Sequence, residues 1–396
     1  MLGSDQFASV FREYQLMYFD PTYTYLVPDV RWFVTTNAPT EIAKELIDGK
    51  QSPWLAGSVA SAFPDSVSLD VPSVPVSAGG IAQVALSGGV LSAAQLTLDR
   101  MQTQLLASLA TAGVTDVTMT YDGGPLSAQA VTTASTRIPS QPVVKTTKAF
   151  GLLSTSGSVE PLSGISEAVQ RLNPSDIQLS ADQKTAAVRL MSGEVERVPS
   201  QGDPVVLDRR AGLVGPTVDP QGYVWSVPGA DPSALVAYGP NRTTVPIASA
   251  WAEASRITAM ALSRDGTRLA AIVTVGGQSV IEVAGVVRSS EGVPQSLGEP
   301  LLIAELPGAG VDLTWLDDST IGALAHGADG MVALQQIVSG PSSSTATPDD
   351  ATTIAGSVAT AVRVRTADGT LYAQRGSNWE QAGTGIQVLA TAQGMP

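Results

Sequence analysis

Cysteine is absent from this 396-residue sequence, and histidine occurs once. Without cysteine the chain forms neither disulfides nor thiolate metal sites, and a single histidine cannot supply the clusters that most zinc or copper sites use. We therefore expect no metal and no cofactor. The missing cysteine does not identify the cellular compartment, because many exported bacterial proteins also manage without disulfides.

Positive charge is also scarce. Lys and Arg number 22 against 36 Asp and Glu, which gives a formal net charge of −14. This balance excludes nucleic acid as an expected partner and disfavours anionic lipid surfaces. No apolar run approaches the roughly 20 residues of a membrane-spanning helix, so we expect the chain itself to be soluble.

Small residues that favour turns are plentiful instead. The sequence contains 38 Gly and 26 Pro, with 43% hydrophobic and only 5% aromatic residues. Such a composition is typical of a globular protein built from short strands and tight turns. Because single cores stop growing near about 250–300 residues, the length predicts two domains.

The first third of the chain predicts an α+β domain. Aromatic and β-branched runs within residues 14–34 flank a turn at Asp20-Pro21, which favours a β-hairpin. Residues 92–112 carry a helical stripe that ends at Gly113. The predicted order is β-β-α-β-α-β, with the helices on one sheet face: hairpin 14–34, a helix from an Asn37 cap to Gly49, an irregular stretch 53–78, strand 81–86, helix 92–112 and strand 114–121.

Several segments of this region resemble the GerMN domain in order and spacing. They are Tyr18-Phe19-Asp20, Leu26-Val27-Pro28, Arg31-Trp32, the helix from Ile42 to Gly49, the run Gln95 to Leu109, Gly113 to Val117, and Asp122 to Leu126. We assign residues 1–126 to a GerMN-like domain. Residues 127–148, rich in Thr, Ser, Gln and Pro, are the expected junction.

The remainder, residues 149–396, repeats a turn signal at intervals of roughly 40–50 residues, the spacing of four-stranded propeller blades. Each turn begins with an aspartate that accepts backbone amides and is followed by strand-forming residues. The five copies start at Asp182, Asp219, Asp265, Asp318 and Asp368.

A sixth unit lies within residues 149–162, and Ile386 to Ala390 at the chain end is available to complete it. Closing the ring with strands from both ends would remove exposed sheet edges. The predicted fold is therefore mixed, a small α+β domain followed by an all-β propeller. Six blades are favoured, and five or seven remain possible.

A GerMN domain followed by a propeller resembles actinobacterial lipoproteins of the LpqB type. The resemblance implies a non-enzymatic role beside the extracellular domain of an MtrB-like sensor histidine kinase, in two-component signalling of the cell envelope and cell division. It also implies a lipid anchor at the outer face of the membrane. Family members carry an N-terminal lipid-modified cysteine and a further domain, both of which we expect to precede the GerMN-like domain in the full-length protein.

The residues themselves offer little catalytic chemistry. His326 has no evident acid, base or ligand partner, and the paired carboxylates Asp317-Asp318 and Asp349-Asp350 are typical of solvated turns. G-x-S-x-G, Walker and G-x-G-x-x-G motifs are absent. We assign no catalytic, cofactor-binding or metal-binding residue, so a propeller dehydrogenase or lactonase is disfavoured.

Three residues are candidates for partner contact. Trp251 lies in a segment that joins blades, and Arg209-Arg210 is a basic pair in an acidic chain; Trp and Arg are enriched at interface hot spots. Trp225 and Trp315 lie inside predicted strands, where packing between blades is favoured.

The alternative function is binding of peptidoglycan or another envelope saccharide. A saccharide site needs exposed aromatic residues with polar neighbours, and the candidates for such a groove are Tyr18, Tyr23, Tyr25 and Trp32. A shared groove would favour this alternative, and burial of these side chains would count against it.

Overall fold

The computed structural model describes residues 10–393, and the chain divides into two units between Ala134 and Ser135. The first nine and last three residues of the ranges assigned to the two domains lie outside the described residues. Each unit has its own secondary structure and is described by itself.

The first unit begins with the predicted hairpin. Strands β1 (Phe11–Phe19) and β2 (Leu26–Val34) pair antiparallel along their whole length. Asp20 organises the loop, because its carboxylate accepts backbone N–H groups from Thr24 and Tyr25 at 2.6 Å each. The aspartate turn read from the sequence is confirmed.

The remaining elements of this unit are α1 (Ala38–Ile47), β3 (Ile81–Ala85), α2 (Gln95–Ala110), β4 (Asp116–Tyr121) and β5 (Gly124–Pro125), with 3₁₀ turns at Thr35–Asn37, Pro53–Leu55 and Gly88–Ser92. The predicted element order is confirmed. The expectation of one sheet is wrong, because β1-β2 and β3-β4-β5 form separate sheets and β3 pairs with β4 in parallel. Asn37 makes no side-chain cap, since its amide donates to Glu41 instead.

Helix α2 occupies the centre of the unit because its apolar stripe and its polar residues both find partners. Met101, Leu105 and Leu109 are fully buried. Ser108 Oγ accepts the β1 backbone N–H of Met17 at 2.8 Å, and Gln102 donates to the β4 carbonyl of Val117 at 2.7 Å. One helix therefore holds both small sheets in a single core.

The second unit consists of consecutive antiparallel sheets that each run from an inner to an outer strand. The first sheet contains β6 (Val143–Thr146), β7 (Phe150–Leu153) and β8 (Val159–Pro161), and helix α3 (Ser166–Gln170) follows it. The second sheet comprises β9 (Pro174–Leu179), β10 (Thr185–Leu190), β11 (Val195–Pro199) and β12 (Val205–Asp208). The third comprises β13 (Thr217–Val218), β14 (Val224–Ser226), β15 (Val236–Tyr238) and β16 (Thr244–Pro246), with a 3₁₀ turn at Pro232–Ala234.

The fourth sheet has a fifth strand, because the long β19 pairs with two successors. It contains β17 (Arg256–Leu262), β18 (Arg268–Val275), β19 (Gln278–Arg288), β20 (Pro294–Leu297) and β21 (Leu301–Glu305). The fifth comprises β22 (Gly310–Trp315), β23 (Thr320–Gly327), β24 (Gly330–Ile337) and β25 (Ser342–Ala346), and the sixth β26 (Ala351–Gly356), β27 (Val362–Thr366), β28 (Leu371–Arg375) and β29 (Asn378–Gly383).

The last strand, β30 (Ile386–Ala392), closes these sheets into a ring of six blades. It pairs antiparallel with β6, completing the first blade, and its end pairs in parallel with β9 of the second. The inner strands contact one another in cyclic order: β30, β9, β13, β17, β22, β26 and again β30. The predicted closure by strands from both ends is confirmed, and β6 lies within the range that the sequence assigns to the junction.

Four of the five aspartate turns stand where the repeat predicts, between the first and second strands of a blade. In the fifth blade Asp317, rather than Asp318, accepts the turn amides of Ser319 and Thr320 at 3.0 and 2.8 Å. The copy at Asp368 joins the second and third strands of the sixth blade, so the repeat is wrong at its last step. Aspartate serves any tight hairpin, because the same local hydrogen bonds form in each.

Buried arginines tie neighbouring blades together. Arg288 of the fourth blade donates to Asp219 of the third at 2.7 Å, and Arg268 of the fourth donates to the Asp318 carbonyl of the fifth at 2.7 Å. Arg264 donates to the carbonyls of Leu316 and Gly356, which belong to the fifth and sixth blades. Guanidinium groups suit this role because they offer several donors in a fixed plane.

Candidate functional site

The innermost strands of the ring surround a cavity of about 380 Å³. Its wall combines polar residues with apolar residues of the inner strands, such as Ile177, Ile257 and Leu313. The charged and hydroxyl-bearing residues in the wall are Ser175, Asp176, Arg189, Arg256, Thr258, Asp312, Thr352, Thr353 and Thr391. A preformed polar cavity on the axis is the candidate functional site.

Asp312, on β22, is the most unusual group in this wall. Its Oδ2 accepts the backbone N–H of Ile354 at 2.9 Å. Burial raises the pKa of its carboxyl to about 7; the amide of Ile354 works in the opposite direction, and nearby Asp176 adds to the rise. The carboxyl therefore changes charge near neutral pH, unlike an ordinary aspartate.

Asp176 faces the same cavity but has its charge compensated. Arg189 forms an ion pair with it at 2.7 Å and also donates to the Leu213 carbonyl at 2.9 Å. Gly215 lies so close that an added Cβ would stand 3.2 Å from the Asp176 carboxylate. The cavity thus holds one paired and one unpaired carboxyl.

The cavity wall presents hydrogen-bond acceptors to a ligand. Among residues 10–393, no group of three or more His, Cys, Asp or Glu side chains is placed to hold a metal ion. His326 is exposed at the end of β23, away from the residues that line the cavity. An enclosed carboxyl surrounded by hydroxyls and carbonyls offers acceptors for a donor-rich ligand.

Trp251 lies in the interior rather than on the surface. The side chain is 1% exposed, packs with the core around Trp225, and its indole nitrogen has no hydrogen-bond partner. The prediction that Trp251 contacts a partner is therefore wrong. Trp251 lies in a loop that joins two blades, and its backbone φ is 43°. Burying its large aromatic surface is nevertheless more favourable than exposing it to solvent.

The two arginines of the basic pair have different environments. Arg210 is bound to buried Asp208 at 2.6 Å and donates to the carbonyl of Ala234 at 2.7 Å, so it has a structural role. Arg209 is 71% exposed in its side chain and pairs only with Glu194. A partner contact by Arg209 or by Arg210 stays a prediction.

The aromatic residues of the hairpin do not share one groove. Tyr18 pairs with Val27 and Trp32 pairs with Glu13. Because side chains alternate along a strand, these two pairs lie on opposite faces of the hairpin. Tyr18 and Tyr25 are moreover 1% and 6% exposed.

Tyr23, the remaining member, packs locally. Arg100 stacks over its ring at 3.7 Å, and Phe19 lies 5.3 Å from it between ring centroids. The predicted saccharide groove of Tyr18, Tyr23, Tyr25 and Trp32 is therefore wrong. The predicted hairpin already indicated this outcome, because side chains alternate between the two faces of a strand.

Trp225 and Trp315 are packed between blades, as predicted. Trp225 is fully buried and donates to Asp219 at 3.1 Å; Trp315 donates to the Ala261 carbonyl of the preceding blade at 3.0 Å. By contrast, sequence reasoning missed the axial residues Asp176 and Asp312. Their only signal is an aspartate within an inner strand, which becomes informative once the strand order is known.

A closed six-bladed ring around a polar cavity, preceded by a small α+β unit, defines a β-propeller protein with an accessory domain. A family profile described as the lipoprotein LpqB beta-propeller domain matches residues 151–389, and a second, described as sporulation and spore germination, matches residues 15–127. The chain belongs to the LpqB β-propeller lipoprotein family, whose members are extracytoplasmic proteins.

Among solved structures, TolB from Acinetobacter baumannii is 14% identical over 63% of this chain and 66% of its own, with a TM-score of 0.46. A chain of a nidogen/laminin complex is 10% identical over 63% of this chain and 96% of its own, also at 0.46. No curated protein matches this sequence. Within the described residues, no helix has the length and apolar character needed to cross a bilayer.

Proposed function

We propose that this chain is a non-enzymatic interaction module that binds the extracellular domain of an MtrB-like sensor histidine kinase and modulates its signalling in the cell envelope and in cell division. The observation that supports this most directly is the closed ring. β30 leaves no open blade, and buried arginines join adjacent blades. A ring tied in this way presents its loops as a preformed surface.

Charge supports a particular kind of partner. The net charge of −14 favours a kinase surface that carries basic residues. Complementary charge mainly accelerates encounter and makes association sensitive to salt. We therefore expect the affinity to fall as ionic strength rises.

Modulation requires more than binding. A docked protein shifts a kinase between signalling states only if it binds one state more tightly than the other. In this proposal the propeller binds one arrangement of the extracellular domain preferentially and leaves chemistry to the kinase. A lipid anchor at the outer face of the membrane holds the two proteins at high effective concentration.

The proposal is tested by calorimetric titration of this chain with the cognate extracellular kinase domain at two salt concentrations. Saturable binding that weakens at high salt is expected. Absence of binding at high micromolar concentration of both proteins contradicts the proposal.

Arg209 provides a surface test with a matched control. Arg209 and Arg375 are both exposed arginines with a single glutamate partner, Glu194 and Glu380 respectively. If Arg209 contacts the kinase, Arg209→Ala weakens binding several-fold while Arg375→Ala does not. Equal effects of the two substitutions exclude a specific contact at Arg209.

A second candidate function is binding of an envelope ligand, such as a peptidoglycan fragment. The axial cavity favours it, because a partly open volume of about 380 Å³ lined by polar and apolar residues is unused by the packing of the ring. Soluble muropeptides titrated into the chain test this candidate, and absence of binding at millimolar concentration contradicts it.

A further inference from the structure

The Asp312 carboxyl is a half-buried acid in the cavity wall, and no cation forms an ion pair with it. No ion pair within 4.0 Å joins it to a described lysine or arginine, and Arg189, whose charge lowers the pKa of Asp312, is already paired with Asp176. A carboxylate that is partly withdrawn from water without a counter-charge costs stability. The backbone N–H of Ile354 needs an acceptor here, which an uncharged side chain such as asparagine would also provide.

The charged groups that face Asp312 do not compensate its negative charge. Asp176 and Arg189 largely cancel each other across their ion pair. Arg256, from β17, lines the same cavity, and its exposed position lets solvent screen its charge. Asp312 therefore remains the uncompensated charge of the enclosed space.

We propose that the axial cavity binds a primary alkylammonium group, such as the end of a lysine or diamino-acid side chain, with its ammonium paired to Asp312. Three ammonium hydrogens can be shared between the remaining lone pairs of this carboxylate and neighbouring oxygens of the cavity wall, to which Thr353 contributes. The alkyl chain would follow the axis towards the cavity mouth.

The geometry favours ammonium over other cations. A guanidinium group binds a carboxylate best through both oxygens in one plane, but the backbone N–H of Ile354 already donates to Oδ2. A compact ammonium needs only the remaining lone pairs. Calcium requires about six to eight oxygen ligands, and the described residues contain no cluster of three acidic or metal-binding side chains.

This inference concerns the axial cavity alone and does not depend on kinase binding. It extends the second candidate function by naming the chemical group that is recognised. Failure of the two is distinguishable, because muropeptides without a free amine would still bind if only the present inference were wrong.

The test uses 1,5-diaminopentane as the probe, titrated calorimetrically into the whole chain. Binding is expected to be roughly tenfold tighter at pH 8 than at pH 6, since the pKa of Asp312 is about 7 and the probe stays charged throughout. The neutral analogue 1,5-pentanediol is expected not to bind. Equal binding of the diol, or an affinity that does not change with pH, overturns the proposal.

Asp312→Asn keeps the shape of the side chain and removes its charge, so it is expected to abolish probe binding. Asp203→Asn, at an exposed turn outside the cavity, is the matched control. A ¹³C carboxyl titration of the unmodified chain provides a readout that needs no variant: saturating probe should lower the midpoint of Asp312 by at least one pH unit. An unchanged midpoint, or Asp312-dependent binding of calcium chloride in place of the amine, contradicts the assignment.

Discussion

The two units bury charge in different ways. In the first unit Asp29 is fully buried, but its partner Arg31 is 21% exposed and also reaches Glu45 and the Lys50 carbonyl. In the propeller the pair Asp265–Arg268 is 1% exposed on both sides. The same kind of ion pair therefore lies at the edge of one core and in the interior of the other.

The difference follows from how each unit is built. The first unit has one core around α2, so an ion pair can stay at its rim. A ring of repeated sheets has an interior junction at every blade, where backbone carbonyls need donors. Burial by itself raises the pKa of Asp265, but Arg268 together with the hydroxyls of Thr267 and Ser263 outweighs it and lowers the pKa.

Removing β30 should have the largest effect on the stability of the propeller. A chain ending after Thr384 loses the inner strand of the first blade and exposes two strand partners, β6 and β9. We expect the propeller to lose its cooperative unfolding transition in calorimetry. A chain ending at Gln393 keeps β30 and is the control. An unchanged propeller transition in the shorter chain would show that ring closure contributes little.

Breaking one ion pair in each unit tests whether the buried pair of the propeller contributes more stability than the partly exposed pair of the first unit. Arg268→Met leaves Asp265 buried without its counter-charge, a loss expected to be about 3–5 kcal/mol. Arg31→Met should cost roughly 1–2 kcal/mol, because Asp29 keeps two donors from Ser52. Urea unfolding measures both, and equal losses would contradict the proposed difference in burial.

The raised pKa of Asp312 predicts that the stability of the propeller depends on pH. Since its folded pKa of about 7 lies above that of an unfolded aspartate, the folded state binds the extra proton and stability falls as pH rises from about 4 to 7. Asp312→Asn should therefore stabilise the propeller by at most about 4 kcal/mol at pH 8 and hardly at pH 4. Thermal unfolding across this range checks the sign, and a gain independent of pH would refute it.

A pair of glycines gives the smallest expected effect. Gly113 in the first unit and Gly369 in the propeller have φ values of +81° and +84°, so alanine is strained at either position. At Gly113 the space is open, whereas a Cβ at Gly369 would lie 2.9 Å from the Ile386 carbonyl of β30. Gly113→Ala should cost about 1 kcal/mol and Gly369→Ala about 2 kcal/mol. Urea unfolding that gives equal losses would show that β30 yields at this point.

Much of the architecture could be predicted because it depends on local patterns. The hairpin, both helices of the first unit and most blade turns follow from alternation, helical stripes and aspartate turns. The error at Asp368 has the same origin, since a local hydrogen-bond motif does not state which strands of a blade it joins.

The candidate site was not predictable in this way. Asp176 and Asp312 are far apart in the chain and meet only because inner strands of different blades converge on the axis. Trp251 failed for a related reason, because its position in a linking segment does not reveal that the segment folds inward.

The sequence by itself determined the order of elements, the acidic net charge and the change from an α+β region to repeated β sheets. Tertiary structure alone decided the separation of the first unit into two sheets, the burial of Trp251 and the unpaired carboxyl of Asp312. The physical reason is range: hydrogen-bond periodicity acts between near neighbours, whereas burial and charge compensation depend on which distant strands meet.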